Sequence, residues 1–325
     1  MPIDILNIQP TVISRDLRGK YVLLYGKAKS GKTSAAVQFP KSLLLGFERG
    51  YNALGGVHAV DILKWSDYKT VLRQLEKPEA KELYNTIIID TISIAWDYCE
   101  QFICAQNGVQ KIADIPWGGG YSAAKKEFES SLRKITMLGY GLVLIAHSIS
   151  HLEKADGDKD AEVEIIGPDL PKRAAEICNG LVDIIGYIGG EYNESGDFVR
   201  YLYTRSTPTL FAGSRFKYLA AKIPFGYDQL VSAIADAIDK SEKLDGATVV
   251  DTAAVVPVEE KLEFSKVRAE AADLWEKLIT KDEDNAAIIL KKIEMIMGHR
   301  MKLSEFTEDQ ADLMSLVVLE MRDML

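Results

Sequence analysis

Residues 26–33 read GKAKSGKT and match the pattern G-x-x-x-x-G-K-[ST]. Glycines in such a loop let backbone N–H groups turn inward around phosphate oxygens, and the N-terminus of the following helix adds positive charge. The lysine reaches the β- and γ-phosphates, and the threonine hydroxyl binds Mg²⁺. The pattern therefore predicts a site for ATP and Mg²⁺. The predicted nucleotide-binding residues are Gly26, Lys27, Ala28, Lys29, Ser30, Gly31, Lys32, Thr33 and Ser34, and Thr33 is also a predicted metal ligand.

Three further polar residues follow apolar runs and suit chemistry at a phosphate. Asp90 ends one run, where a carboxylate would hold Mg²⁺; an Asp that only caps the next helix is the alternative. Glu48 follows another run and could act as general base on water, or it could be a solvated loop glutamate. His147 follows a third run, and on the residues alone such a histidine is more typical of a structural role.

Short apolar runs and helical patterns alternate along the first 180 residues. Such runs are typical of strands buried on both faces of a parallel sheet. The predicted strands are 21–25, 42–47, 86–89 and 141–146, and the predicted helices are 32–39, 67–75, 92–102 and 121–138. This alternation predicts an α/β fold with a mainly parallel sheet flanked by helices. After residue 180, the runs 181–189 and 198–204 predict an antiparallel hairpin, and a helix over 228–240 follows.

The chain is predicted to divide into a core, 1–241, a linker, 242–258, and a small all-α module, 259–325. The linker mixes small, polar and proline residues without a helical period. The module has three helical patterns: a stripe through 264, 267, 271, 274 and 278, a helix ending before Gly298, and one that begins at Thr307. It carries most of the acidity: its charge is −6, against −1 for the core and −9 for the whole chain.

Composition indicates an ordinary globular protein, with 47% hydrophobic and 27% charged residues. No run of 18 apolar residues suggests a transmembrane helix, and no basic-then-apolar leader is visible at the N-terminus. We therefore expect a cytoplasmic protein with no membrane partner. Three irregularly spaced cysteines give no disulfide framework.

The order of P-loop, strand-Glu, strand-Asp and strand-His over about residues 10–240 resembles the RecA-type ATPase core. It is most similar to phage-encoded RecA-like ATPases of the Sak-type single-strand annealing and recombination group. The resemblance implies that Glu48 is the catalytic base and that His147 senses the γ-phosphate. It also implies a homo-oligomer, ring or filament, with ATP between protomers, in the host-cell cytoplasm.

In that family a basic motif near the end of the core reaches the neighbouring subunit's ATP. The corresponding segment contains Arg215, but Gly213 stands where the family has a lysine. Arg215 is therefore the predicted trans-acting residue, with Lys217 and Arg205 as rivals and a solvated hairpin arginine as the alternative.

Two segments could contact single-stranded DNA. The first segment, 115–121, contains glycines and two aromatic residues and is followed by Lys125 and Lys126. The second segment, 148–173, is predicted to be a mobile loop, and it also carries many acidic residues. The predicted DNA-contacting residues are Trp117, Tyr121, Lys125, Lys126, Lys154, Lys172 and Arg173.

We therefore expect an ATP-dependent recombination protein that binds single-stranded DNA, for annealing or strand exchange. Two other classes stay open: an ATP-switched adaptor or loader in phage DNA replication, and a P-loop kinase. Kinases of that kind usually need an arginine-rich lid, and the only dense basic stretch surrounds the P-loop. The acidic module would repel phosphates, so it is predicted to contact a protein partner or a neighbouring subunit, or simply to pack on its own core.

Overall fold

The computed structural model describes residues 10–154, 162–252 and 263–325, and it leaves the side chains of Glu153 and Lys154 undescribed. The chain divides into two compact units, Met1–Pro257 and Val258–Leu325. The strands of the first unit are β1 (Ile13–Ser14), β2 (Tyr21–Gly26), β3 (Ser42–Gly46), β4 (Ala59–Asp61), β5 (Thr86–Asp90), β6 (Gly141–Lys154), β7 (Glu162–Pro168), β8 (Ile184–Tyr192), β9 (Phe198–Tyr203), β10 (Gly213–Ser214), β11 (Lys222–Pro224) and β12 (Val249–Val250).

Helices and short 3₁₀ turns connect these strands. The helices of the first unit are α1 (Lys32–Ala36), α2 (Trp65–Leu75), α3 (Pro78–Leu83), α4 (Ile92–Gln106), α5 (Gly119–Met137), α6 (Lys172–Leu181) and α7 (Tyr227–Asp245). Within the described ranges, no helix of either unit has the length and apolar character needed to cross a membrane.

The main sheet has the strand order β11-β9-β8-β2-β6-β5-β3-β4. The six strands from β8 to β4 in this order pair in parallel. The strands β8, β9 and β11 pair antiparallel at the other side, which confirms the predicted hairpin. The α/β class with a mainly parallel sheet is therefore confirmed.

The central strands are apolar throughout because helices cover both faces of the sheet. Ile87 and Ile89 of β5 pack with α2, α4 and α5 on one face, and Ile88 packs with α1 and α7 on the other. Successive side chains of a strand point to opposite faces, so a strand with two covered faces needs a continuous apolar run. That is the pattern from which the strands were predicted.

The register of these strands brings the ends of four strands to one edge of the sheet. Gly26 of β2 lies opposite His147 of β6. Gly46 of β3 lies opposite Asp90 of β5. The residues that follow these strands therefore meet at their carboxyl edge, where α/β sheets bind ligands.

Strand β6 is much longer than predicted and corrects the interpretation of 148–173 as a mobile loop. It continues past residue 146 to Lys154 and pairs antiparallel with β7, from Ser148 opposite Pro168 to Lys154 opposite Glu162. Polar and apolar residues alternate in 148–150 and in 162–165, which suits such a two-stranded ribbon. Residues 155–161 of the predicted loop lie outside the described part of the chain.

The predicted linker, 242–258, begins inside a structured part of the first unit. Helix α7 continues to Asp245 and ends at Gly246, which takes a left-handed conformation at φ 68°. Strand β12 then pairs with β1, and Arg15 forms ion pairs with Asp239 at 2.6 Å and Asp251 at 3.1 Å. The helix therefore ends at Gly246 and not at residue 240, where the sequence pattern placed its end. Residues 253–258 of the predicted linker lie outside the described part.

The second unit has three helices, α8 (Phe264–Lys281), α9 (Asn285–Met297) and α10 (Ala311–Arg322). Four residues of the predicted stripe on α8, from Val267 to Leu278, are buried in a core that the other two helices complete. Helix α9 ends at Gly298 with φ 75°, as predicted. Thr307 and Gln310 form the predicted capping box ahead of α10. This unit therefore has an apolar core of its own.

Replacing Leu278 with Ala should destabilise the second unit by about 2–5 kcal/mol, because the side chain is fully buried and its removal leaves a cavity. Hydrogen exchange of the amides in 263–325 during urea denaturation would measure the loss. The matched control is Leu316→Ala, whose side chain is 47% exposed and should cost no more than about 0.5 kcal/mol. Equal effects of both substitutions would contradict the assigned core.

Candidate nucleotide-binding site

At two positions of the loop between β2 and α1, glycine is the only residue that fits. A Cβ at Gly26 would lie 2.7 Å from the carbonyl oxygen of Ile188 on the neighbouring strand β8. Gly31 has φ 94° and forms the N-cap of α1 in a left-handed conformation. A Cβ there would lie 3.0 Å from Nη1 of Arg200. The two glycines of the pattern are thus required by the close approach of β8 and β9 and by the backbone conformation.

Lys32 lies inside the loop and is only 5% exposed. Its Nζ donates to the carbonyl oxygens of Gly26 and Lys27, both at 2.9 Å. Burial lowers the pKa of Lys32, while Asp90 and Glu48 act in the opposite direction. The ammonium group therefore binds two carbonyl oxygens of the loop from within.

Thr33 and Asp90 form the pair that suits Mg²⁺. Thr33 Oγ1 donates to Asp90 Oδ2 at 2.6 Å, and Asp90 is 5% exposed at the end of β5. Burial raises the pKa of Asp90, and the hydrogen bond from Thr33 partly offsets that rise. A hydroxyl and a carboxylate oxygen are ligands that Mg²⁺ prefers, so these two residues fit the ion.

Glu48 and His147 lie beside this pair. Nε2 of His147 and Oε2 of Glu48 are 3.2 Å apart, and both side chains are partly exposed. The backbone N–H of Glu48 donates to the carbonyl oxygen of Asp90 at 3.0 Å, which fixes Glu48 next to β5. A carboxylate that accepts a hydrogen bond from a neighbouring imidazole can take up a proton from water.

A single cavity of about 370 Å³ joins the P-loop residues with those at the ends of β3, β5 and β6. Its lining includes Lys32, Thr33, Glu48, Asp90 and His147. The structure thus brings together the residues predicted to bind phosphate and metal and to activate water.

Arg200 also belongs to this region, and sequence reasoning missed it. Its Nη1 donates to the carbonyl oxygen of Ser30 in the P-loop at 2.8 Å. The guanidinium lies 5.8 Å from the ring centroid of Phe225. Nothing in the local sequence distinguishes Arg200 from other hairpin residues, because its contact depends on the pairing of β8, β9 and β2.

Arg215 lies elsewhere in its own chain. Its guanidinium binds Asp183 at 3.1 Å and the carbonyl oxygens of Gly180 and Leu181. All three partners come just before β8 in the chain. The first residue of β8, Ile184, lies opposite Val22 near the start of β2. Arg215 is therefore at the edge of the sheet opposite the P-loop, away from the cavity of its own chain.

The two rivals of Arg215 also have partners within the chain. Lys217 binds Asp245 at 2.8 Å. Arg205 donates to three backbone carbonyl oxygens, those of Ser214, Phe216 and Lys217. Arg205 thus holds the segment that carries Arg215.

Most of the predicted DNA-contacting residues lie on α5, on α6 and just before α5. Trp117 is fully exposed, and its φ of 60° turns it out of the 3₁₀ segment before α5. The guanidinium of Arg173 stacks over Tyr121 at 4.4 Å, and Lys125 pairs with Glu176 at 3.0 Å. Lys126 and Lys172 are exposed, whereas the side chain of Lys154 lies outside the described part.

The chain is similar to a protein family, to a prophage protein and to a solved structure. A protein-family model described as an AAA domain matches residues 18–216. The SPbeta prophage-derived uncharacterized protein YorG of Bacillus subtilis (strain 168) is 29% identical over 333 residues, covering 100% of this chain and 99% of that protein. A solved structure, the KaiC-like protein PH0186 from Pyrococcus horikoshii OT3, aligns with a TM-score of 0.34 and 14% identity over 64% of this chain and 85% of that one.

The family match spans more than half of the chain and includes the whole cavity lining described above. It covers the P-loop, both carboxylates and the histidine of the cavity. The chain therefore belongs to the AAA domain family, and its first unit is a P-loop ATPase domain.

Proposed function

We propose that the protein is a Mg²⁺-dependent ATPase that acts on single-stranded DNA in recombination, by annealing or strand exchange. The observation that carries the ATPase part is the single cavity that unites Lys32, Thr33, Asp90, Glu48 and His147. The DNA part depends on the exposed aromatic and basic residues around α5 and α6 and on the resemblance to phage recombination ATPases.

In the proposed reaction, water attacks the γ-phosphorus of ATP and the bond from phosphorus to the β–γ bridging oxygen breaks, giving ADP and phosphate. Glu48 accepts the proton that the attacking water loses. Lys32 stabilises the negative charge on the β- and γ-phosphate oxygens. Thr33 and Asp90 would hold Mg²⁺, which supplies charge neutralisation at the phosphates when bound.

His147 connects this chemistry to the β6–β7 ribbon. Its side chain contacts Glu48, and its carbonyl oxygen accepts a hydrogen bond from the N–H of Asp169 at 2.8 Å. We propose that His147 senses the γ-phosphate and passes its presence to the ribbon. The element that responds is then a paired ribbon and not the loop expected from the sequence.

Oligomerisation completes the proposal. In a ring or filament, the edge of one protomer that carries Arg215 would face the P-loop edge of the next. Release from Asp183 would let Arg215 reach the neighbour's γ-phosphate, where an arginine stabilises developing charge.

A second candidate function is an ATP-switched adaptor or loader. The second unit supports it, because this unit has its own core, a charge of −6 and several exposed apolar side chains. The exposed apolar side chains of this unit include those of Met295, Leu313 and Leu316. Such a surface suits a protein partner better than DNA.

The two candidates differ in how ATP turnover responds to single-stranded DNA. We expect DNA to stimulate wild-type turnover several-fold. Trp117→Ala should raise the DNA concentration for half-maximal stimulation roughly tenfold, since stacking on an aromatic contributes about 1–3 kcal/mol per base. Tyr192→Ala, which removes an exposed aromatic from the β8–β9 hairpin, is the matched control and should change it little.

If single-stranded DNA does not change the rate of ATP turnover by the wild type, the recombination proposal is wrong and the adaptor is favoured. If Trp117→Ala and Tyr192→Ala raise the DNA concentration for half-maximal stimulation equally, Trp117 is not a specific DNA contact. Titration of an unstructured oligonucleotide into a steady-state ATPase assay measures both.

A further inference from the structure

The hairpin β8–β9 extends past the end of β2 and overhangs the P-loop. Ile188 of β8 lies opposite Gly26, the last residue of β2. Two residues further along β8, Gly190 lies opposite Arg200 of β9. Arg200 is thus presented beyond the sheet edge, above the loop that begins at Gly26.

Phe225, the residue that follows strand β11, helps to hold Arg200 in this position. The N–H of Phe225, just after β11, donates to the carbonyl oxygen of Arg200 at 3.0 Å. The ring of Phe225 lies under the guanidinium, and both groups approach the Gly31 position within 3.1 Å of where a Cβ would stand. No acidic side chain among the described residues forms an ion pair with Arg200. Within the described ranges its guanidinium donates to one acceptor, the carbonyl oxygen of Ser30, at 2.8 Å.

That contact determines the direction of one peptide group. A trans peptide is planar, so its C=O and N–H point in opposite directions. When Arg200 holds the carbonyl of Ser30 outward, the N–H of Gly31 points away from the hairpin. Lys32 holds the carbonyls of Gly26 and Lys27 from within the loop. Two cations therefore bind the carbonyls of the P-loop, one from inside and one from outside.

We infer that Arg200 is a positioning residue for nucleotide binding: it orients the Ser30–Gly31 peptide so that the Gly31 N–H faces the phosphates. This inference rests on the proposed ATPase function. It predicts an effect on the affinity of the loop for nucleotide and little effect on proton transfer, because Arg200 contacts neither Glu48 nor His147 among the described residues.

The test compares Arg200→Ala with Arg200→Lys in two assays. These are binding of a fluorescent ADP analogue with Mg²⁺ and steady-state ATP turnover. Loss of a charge-assisted hydrogen bond should raise both Kd and KM roughly tenfold or more in Arg200→Ala, with kcat within about threefold of wild type. Arg200→Lys keeps a cationic donor and should recover most of the affinity.

Lys222→Ala is the matched control, because Lys222 is a cation on β11 that pairs with Glu191 and stacks on Tyr201. It should leave Kd and KM unchanged. Wild-type Kd and KM in Arg200→Ala, or a fall in kcat alone, would overturn the inference. Nucleotide binding that survives Lys32→Ala would instead overturn the proposed function, so the two failures are distinguishable.

Discussion

Glu48→Gln is expected to lower kcat for ATP hydrolysis by about 10²–10⁴-fold while nucleotide affinity stays within about threefold of wild type. The substitution keeps the shape of the side chain but removes its ability to accept a proton. Glu48 contacts His147, and its N–H donates to the carbonyl oxygen of Asp90, whereas the proposed binding contacts come from Lys32, Thr33 and Asp90. Loss of the carboxylate should therefore act on the chemical step and not on binding.

Rapid-quench measurement of a single turnover, together with equilibrium binding of a fluorescent ADP analogue, separates these two quantities. Glu194→Gln, at an exposed turn residue of the β8–β9 hairpin, is the control and should leave both unchanged. A single-turnover rate in Glu48→Gln within tenfold of wild type would assign the base to another group. A large loss of affinity would mean that Glu48 has a binding role.

Lys32→Ala is expected to weaken binding of Mg-ATP at least a hundredfold and to abolish measurable turnover at millimolar ATP. The variant loses a buried cation inside the loop predicted to bind the phosphates, and it removes the ammonium donor from the carbonyls of Gly26 and Lys27. Loss of these two hydrogen bonds should also loosen the loop, since each intramolecular hydrogen bond contributes about 0.5–1.5 kcal/mol.

Lys20→Ala is a demanding control because Lys20 is also buried and also donates to two backbone carbonyls, those of Ser14 and Asp16. Lys20 precedes β2, whereas the P-loop follows it. Both variants should therefore lose stability, but only Lys32→Ala should lose nucleotide. Isothermal titration at a temperature where both variants are folded makes the comparison, and equal Kd values for the two would contradict the assigned site.

The core of the sheet and its phosphate loop were accessible from the sequence because local patterns determine them. Ile87, Ile88 and Ile89 form an apolar run because both sheet faces are covered, and that need leaves a signal in consecutive residues. Gly26 and Gly31 are similarly required by backbone geometry within one short loop. Asp90 and Glu48 follow directly from their strands, so their convergence could be predicted from parallel pairing.

The features that were missed depend on partners far away in the chain. Arg200 meets Ser30 through the register of two strand pairs, and no spacing rule reveals that contact. The continuation of α7 past Ser241 includes Glu242, which accepts a hydrogen bond from Arg15, 227 residues earlier in the chain. The polarity alternates only briefly, in 148–150 and 162–165, and the glycine, proline and many charged residues nearby favoured a loop interpretation.

The β6–β7 ribbon has a mechanical consequence for the ATPase unit. From Ser148 to Lys154 the strand continues the same hydrogen-bonded backbone that ends the nucleotide cavity at His147. Seven residues at about 3.3 Å each make an arm on the order of 20 Å long. Backbone hydrogen bonds join that arm to β7 along its length. A small rotation at the base of the arm would therefore displace its far end by a larger distance than its base. If the base of the arm rotates when nucleotide binds, the displacement of its far end would scale with the length of the arm and would need no ordering of a loose segment.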